Sequence, residues 1–286
     1  MPKVNTLPGM IPTVTFDQYR DKYKEHFTLE RSESGVLMAK MHTKGGPLIW
    51  NQRIHRAIHQ LTTDVGQDVE TEVFILSGTG DYWMAGIDAP HEETIEHKQW
   101  VGYEHMYYDG CRDEEGIVFS LEIPTIGVIN GPGFHTEMAL FCDITIMADD
   151  AAIIDPHYSH GMVPGDGVQL AYRYCVGSKR AMYAMLTGEK IDAKKALEYG
   201  FVNEVVPKKR IFERAWELGE QLAKSNRILR RLTVQVLRQP LREEMTKELR
   251  AAFGLEMFNY LSTTASHPTE DLATMKAKIE AAAKKK

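Results

Sequence analysis

Turns marked by glycine and proline carry most of the residues able to do acid–base chemistry in this chain. Gly131-Pro132-Gly133 runs into Phe134-His135-Thr136-Glu137, His157 follows Pro156, and Asp166 sits inside Pro164-Gly165-Asp166-Gly167. An imidazole can take a proton from water near neutrality, and a carboxylate beside it orients the ring and stabilises the imidazolium that forms. Each of these residues also has a plain structural reading. Aspartate is common in turns for its own hydrogen bonding, and a histidine after such a turn can cap the helix that follows. His55, with Ile54 and Ile58 at helical spacing, reads equally as a core histidine, and Trp50 as core at a strand end. His160, three residues beyond His157 in a loop, does not make a metal pair. His91 and His97 superficially match the zinc motif H-E-x-x-H, but six residues along a helix put their rings on opposite sides.

Composition bounds what those residues can serve. With 43% hydrophobic residues among 286, the chain can bury a sizeable core. Lysine plus arginine is 34 against 40 acidic residues, a formal charge of −6, and no basic stripe runs along it. A nucleic-acid partner is therefore not expected; Lys284, Lys285 and Lys286 read as a solvated end. Cys111, Cys142 and Cys175 are widely spaced, which excludes a disulfide scaffold or zinc ribbon and fits a reducing cytoplasm. No apolar run approaches the ~20 residues of a membrane span. The opening MPKVNTLPGMIPTVTF lacks a charged head and apolar core, so no secretion signal is expected.

The elements that must position these residues follow from periodicity. Residues 1–13 hold three prolines and read as an unstructured arm. Phe16, Tyr19, Tyr23 and Phe27 suit one helical face. LERSESGVLMAKMHT and PLIW, split by a Ser/Gly turn, predict a β-hairpin, and a helix follows through Ile54, Ile58 and Leu61. VFILSGTG and IPTIGVINGPG read as buried strands running into turns, and MALFCDITIMADDAAIID as a helix followed by strands. VQLAYRYCVG and AMYAMLTG are apolar helical segments, IDAKKALEYG is a short helix closed by Gly200, and FVNEVVP is a strand stopped by Pro207. From Arg210 the pattern is helical, with Pro240 and Pro268 as breaks. The expectation is an α/β core over residues 14–209 and a helical region over 210–286.

Several of these segments, in this order, resemble the crotonase (enoyl-CoA hydratase/isomerase) superfamily. GTGDYWMAGID is similar to its glycine-containing turn, and IPTIGVINGPGFHTEMALFCDITIMADDAAI to its active-site strand and helix. DPHYSHGMVPGDG and LTGEKIDAKKALEYGFVNEVVP match the segments that follow. The resemblance covers about residues 28–223. It implies a spiral of ββα units with a helical C-terminal trimerisation region, and homotrimers often paired into hexamers. The stretch from Ala89 to Gly110, with Trp100, Tyr103, Tyr107 and Tyr108, corresponds to a region that covers the pocket, so it is either an apolar lid or plain packing.

The departures from the hydratase pattern are informative. His135 stands where that pattern has a glycine, His157 where it has its second glutamate, and Asp166 where it has a small residue. This altered set resembles the branch of 6-oxocamphor hydrolase and related β-diketone hydrolases, as do the N-terminal segment and the Trp50–His55 spacing. The resemblance implies His157 as general base with Asp166 as its partner. It implies His135 and His55 as holders of the carbonyl oxygen and developing enolate, and Trp50 lining or hydrogen-bonding the substrate. Glu256 lies near that branch's C-terminal glutamate, though the local register differs by about two residues. Glu137 is retained either as a second acid/base or as the group that sets a neighbouring histidine's tautomer. Ala85 in the retained Met84-Ala85-Gly86 turn offers a backbone donor.

The reaction so implied is hydrolysis of a small-molecule diketone without cofactor or metal, in the cytoplasm. Water adds to one carbonyl, and the C–C bond breaks with the other carbonyl leaving as an enolate. With an unshifted imidazole as base, activity would fall below about pH 6–7. The alternative is the superfamily's usual acyl-CoA hydratase, isomerase or thioesterase chemistry, and a third reading is a crotonase fold that only binds.

Overall fold

The computed structural model describes residues 9–88 and 99–262. The His91–His97 spacing, Pro268, the lysine tail and much of the N-terminal arm and of the lid stretch lie outside the described residues. Among the described residues ten strands form: β1 Phe27–Arg31, β2 Val36–Met41, β3 Ile49–Trp50, β4 Val73–Ser77, β5 Gly86–Ile87, β6 Thr125–Ile129, β7 Ile144–Ala148, β8 Ala152–Ile153, β9 Ile191–Asp192 and β10 Glu204–Val206. Six make one sheet in the order β1-β2-β4-β6-β7-β10. β1 and β2 are the antiparallel hairpin, Leu29 opposite Ala39, and every other pairing in that sheet is parallel. β3 pairs with β5 and β8 with β9 in two small ribbons.

β4 and β6 are buried at every position, as their unbroken apolar runs require when both sheet faces are covered. Alternate residues split between two cores. Val36, Met38, Val73, Ile75, Ile126 and Val128 pack against Ile211, Ala215 and Leu218 of the helix Ile211–Ala223. Leu37, Ala39, Phe74 and Leu76 face the larger core, with Ile54, Ile58 and Leu61 of the helix Gln52–Gln67. The first helix after residue 209 thus shares a core with the sheet rather than standing apart from it.

Two boundaries differ from the sequence expectation, and a third, at Gly177, agrees with it. The first helix ends at Tyr23, and Phe27 opens β1, where its ring packs edge-on against Tyr23. Gly177 is non-helical (φ 75°), which separates the two apolar helical segments within 168–187. Pro240 does not break its helix: it lies inside Arg227–Ser262. Proline removes the hydrogen bond to the carbonyl four residues back, here that of Val236, whose exposure lets water replace it.

This architecture sends the site residues to one place. The turns after β6 and β8 deliver His135 and His157. The N-terminal end of Gln52–Gln67 delivers His55, and the long C-terminal helix brings Glu256 across the loop containing Asp166.

Candidate active site

His157 ends the extended segment after β8 and caps the turn Tyr158–His160. Its ring is gripped on both edges. Nδ1 lies 2.6 Å from Asp155 Oδ1, which also accepts from the His157 backbone N–H at 3.2 Å. Nε2 faces Asp166 Oδ2 at 3.4 Å and Glu256 Oε1 at 3.8 Å. Asp166 is fixed by accepting through Oδ1 from Val168 N–H, at the start of the helix Val168–Thr187. Gly165 permits the approach of the C-terminal helix: a Cβ there would sit 2.3 Å from the Ala252 carbonyl oxygen. Its N–H donates to Glu256 Oε2 at 3.1 Å, so Glu256 keeps Oε1 for the histidine.

His135 adopts φ 54°, a left-handed backbone that non-glycine residues occupy at a cost of ~1–3 kcal/mol. The indole N–H of fully buried Trp83 donates to its carbonyl oxygen at 3.1 Å and holds the turn. His135 Nδ1 lies 2.7 Å from Glu137 Oε1 and 3.3 Å from Asp166 Oδ2. One oxygen of Asp166 therefore stands between two imidazoles. The Nδ1 edge of His135 is committed to carboxylates, which leaves Nε2 for a substrate.

Two of these residues make contacts within the protein. The resemblance implies that Trp50 lines or hydrogen-bonds the substrate and that His55 helps to hold the carbonyl oxygen. Here Trp50 Nε1 donates to His55 Nε2 at 3.0 Å, and His55 Nδ1 lies 2.8 Å from Asp113 Oδ2. The only polar hydrogen of Trp50 and Nε2 of His55 are thereby engaged inside the protein, while His55 Nδ1 faces buried Asp113 without a hydrogen bond. What Trp50 offers the site is its face, tilted 30° to the His135 ring at a centroid separation of 4.5 Å. Ala85 is likewise not a free donor, because its N–H is satisfied by the Leu48 carbonyl at 2.8 Å. Local sequence explains the Trp50–His55 pairing. β3 ends at Trp50, Asn51 caps the next helix by accepting from Arg53 and Ile54 N–H, and His55 follows within the first turn.

Charge follows this enclosure. Burial alone would push His157 down, but Asp166, Asp155 and Glu256 outweigh it and raise it to about 10. His135 is raised well above the usual imidazole value, since Glu137 and Asp166 overcome its burial. The Asp166 carboxyl is buried too, yet His157 and His135 hold it below the usual carboxylate range. Glu256 goes the other way: burial and the neighbouring Asp166 push it to about 8 despite His157. Burial also raises Glu137, Asp113 and Glu114. The site thus sets two histidines whose charged forms are favoured on either side of the Asp166 carboxylate.

Two residues came from outside the sequence reading. Asp155, two positions before His157, could have been suspected from the Asp-Pro-His string. Asp113, in a helical turn far along the chain, left no local signal. Among the described residues, His135, Glu137 and Asp166 form one group and His157, Asp166 and Glu256 another whose ligand-type atoms lie within 4.8 Å of one another; these are the places a divalent cation would be held.

The enoyl-CoA hydratase/isomerase family profile matches residues 33–280, and the chain belongs to that family. Its α/β architecture, a parallel sheet with helices on both faces and a helical C-terminus, is the crotonase fold. A β-diketone hydrolase from the cyanobacterium Anabaena sp. PCC 7120, solved with (S)-3-oxocyclohexyl acetic acid bound, is 32% identical with a TM-score of 0.81, covering 87% of this chain and 98% of that one. Hydroxycinnamoyl-CoA hydratase-lyase of Pseudomonas fluorescens is 28% identical over 62% of this chain and 66% of its own length. The fatty acid oxidation complex subunit alpha of Shewanella frigidimarina is 30% identical over 69% of this chain and 29% of its own length. The match thus spans about two thirds or less of those two relatives. The chain is an enzyme-family member, and no helix among its described residues is long and apolar enough to cross a membrane.

Proposed function

We propose that the protein hydrolyses the C–C bond between the two carbonyls of a β-diketone, giving a keto acid. The observation that carries this reading is the single oxygen of Asp166 set between His157 and His135, 3.4 and 3.3 Å from their ring nitrogens. A base for water and a donor for enolate oxygen are what a retro-Claisen cleavage requires, side by side. The likeness to the Anabaena β-diketone hydrolase supports the same assignment.

In the mechanism, neutral His157, steered by Asp155 and Asp166, takes a proton from water at Nε2. The hydroxide adds to one carbonyl carbon to form a tetrahedral intermediate. That intermediate collapses to a carboxylic acid as the C–C bond breaks, and the electron pair moves onto the second carbonyl as an enolate. His135, kept as imidazolium by Glu137 and Asp166, donates from Nε2 to the enolate oxygen. The proton held on His157 then returns to the enolate carbon, so no cofactor or metal is consumed or required. A fixed donor of this kind is worth about 2.7–4 kcal/mol of barrier. Glu137 serves here as the group that holds His135 in its charged form.

Acyl-CoA chemistry is the second reading, favoured by the family profile and by the hydratase relatives. The engaged N–H of Ala85 and the bonding of Glu137 to His135 weigh against it. A homotrimer, or a dimer of trimers, fits the exposed apolar residues Leu229, Leu232, Val236, Leu237 and Phe258 on the C-terminal helix. A cytoplasmic location fits three free cysteines. A panel of mono- and bicyclic 1,3-diketones assayed beside crotonyl-CoA and related thioesters tests the assignment. Turnover of a diketone with no added cofactor is the expected result; turnover of an enoyl thioester with none of any diketone would overturn it.

A further inference from the structure

We propose that His157, Asp166 and Glu256 form a site for a zinc-class divalent ion, and that the bound ion silences the base. The argument starts from a contact that makes no hydrogen bond. His157 Nε2 stands 3.4 Å from Asp166 Oδ2 and 3.8 Å from Glu256 Oε1. The hydrogen-bonded pairs beside it are shorter, 2.6 Å from His157 Nδ1 to Asp155 and 2.7 Å from His135 Nδ1 to Glu137. Asp166 Oδ2 has no hydrogen-bond partner among the described residues, although its side chain is only 7% exposed. A buried carboxylate oxygen left in that state is destabilising unless something else satisfies it.

The spacings suit an ion between these atoms. Zinc takes imidazole nitrogen at about 2.0–2.1 Å and carboxylate oxygen at about 2.0–2.2 Å, which sets tetrahedral donors about 3.3–3.6 Å apart. The 3.4 Å separation falls in that range, and all three donor atoms lie within 4.8 Å of one another. A small rotation of the Glu256 carboxyl brings its 3.8 Å contact into the same range. Three protein donors leave a fourth position for water. One imidazole with two carboxylates favours zinc and its first-row neighbours over magnesium and calcium, which prefer all-oxygen shells.

The far atom of each ligand is already held. Asp155 Oδ1 takes the His157 Nδ1–H at 2.6 Å, Val168 N–H donates to Asp166 Oδ1 at 3.2 Å, and Gly165 N–H donates to Glu256 Oε2 at 3.1 Å. A carboxylate behind a ligating histidine fixes its ring and tautomer, the usual support of a zinc-bound imidazole. The group of His135, Glu137 and Asp166 fits less well, because its imidazole nitrogen is already bonded to Glu137. Charge favours an ion too, since the carboxyl groups of Asp155, Asp166, Glu137 and Glu256 face two imidazoles.

Binding exchanges a proton for the ion. The Nε2 lone pair goes to zinc, any proton on that nitrogen leaves to solvent, and Asp155 keeps the Nδ1 proton. His157 then has no lone pair with which to take a proton from water. This consequence rests on the reading of His157 as base, whereas the binding itself does not.

The test uses the full-length protein, stripped of metal with EDTA and titrated with zinc chloride in a calorimeter. One strong site per chain is expected, and magnesium chloride at the same concentration should give no binding heat. Asp155→Asn should weaken zinc about 10- to 100-fold, the scale for the support behind a ligand, and Asp166→Asn and Glu256→Gln at least as much. Anomalous diffraction from zinc-soaked crystals should place the ion between His157, Asp166 and Glu256. Diketone turnover should fall as the site fills and return when EDTA is added. The absence of a strong site, an ion at exposed His160 instead, or an affinity untouched by Asp166→Asn and Glu256→Gln would overturn the proposal. So would zinc that raises turnover. If the variants do not fold, the position of the ion in the wild-type crystal decides. Because binding is read without substrate, a protein that holds zinc at these residues but cleaves no diketone loses the proposed reaction and keeps the site.

Discussion

Asp155 Oδ1 lies 2.6 Å from His157 Nδ1, and this pair, rather than the pair with Asp166, has the geometry of an orienting carboxylate behind a general base. Nδ1–H points into the protein at Asp155, and Nε2 points at the reaction centre. Asp166, on the Nε2 side, shares its oxygen with His135 and so faces the chemistry itself.

Removing the base and removing its orienter should both be costly. His157→Ala should lower kcat by ~10²–10⁴. Asp155→Asn should lose up to a comparable factor, because the ring loses its enforced tautomer. Steady-state kinetics on a cleaved diketone checks both. An Asp155→Asn enzyme with wild-type kcat would remove Asp155 from the reaction.

The pH profile should lie higher than a free imidazole predicts. The anions around His157 stabilise its charged form and raise it toward about 10, so the neutral base becomes populated only as pH rises. The acid limb of kcat/KM should therefore have its midpoint above the unperturbed ~6.5 rather than at 6–7. Asp166→Asn should move the midpoint down as well as lowering kcat. The same shift sets a stability trend. The contribution of the His157 ion pairs is full below the unfolded value and is lost as pH rises through the folded one. Urea titrations between pH 6 and 10 should show a falling midpoint, and Asp166→Asn should flatten that fall.

His135→Ala should lower kcat by ~10²–10³, the scale of one lost oxyanion donor. The fold should remain intact, since alanine keeps the same Cβ at the φ 54° position and Trp83 still donates to the backbone carbonyl there. A circular dichroism spectrum matching the wild type, with the kinetic loss, is the expected pair of results.

Gly165→Ala should injure the site from behind. The new Cβ would sit 2.3 Å from the Ala252 carbonyl oxygen, forcing the loop or the C-terminal helix to shift. Glu256 would lose its bond from Gly165 N–H and its place beside His157. A lower melting temperature together with a lower kcat is expected.

Arg238→Ala tests the scaffold alone. Its guanidinium is 3% exposed, pairs with Asp143 at 2.6 Å and donates to the carbonyl oxygens of Leu121 and Ile123. Truncating one partner of such a buried pair costs about 3–5 kcal/mol. Denaturant unfolding should show that loss, and activity at temperatures where the variant is folded should change little.

Local physics made much of this molecule legible in the sequence. A period of two or an unbroken apolar run wrote β2, β4 and β6, and a period near 3.6 wrote the helix carrying Ile54, Ile58 and Leu61, because burial acts on each residue through its nearest neighbours in the chain. His135, His157 and Asp166 could be singled out for the same reason: each sits in a turn whose glycines and prolines advertise it. Tertiary structure alone decided which atoms meet. Asp113 lies 58 positions from His55, and Glu256 lies 99 from His157, and no periodicity carries information over such distances. Ring direction was equally out of reach, since a hydrogen bond from Trp50 occupies Nε2 of His55. The protonation of each group depends on burial and on charges from several elements at once, a sum that exists only when the chain has closed around them.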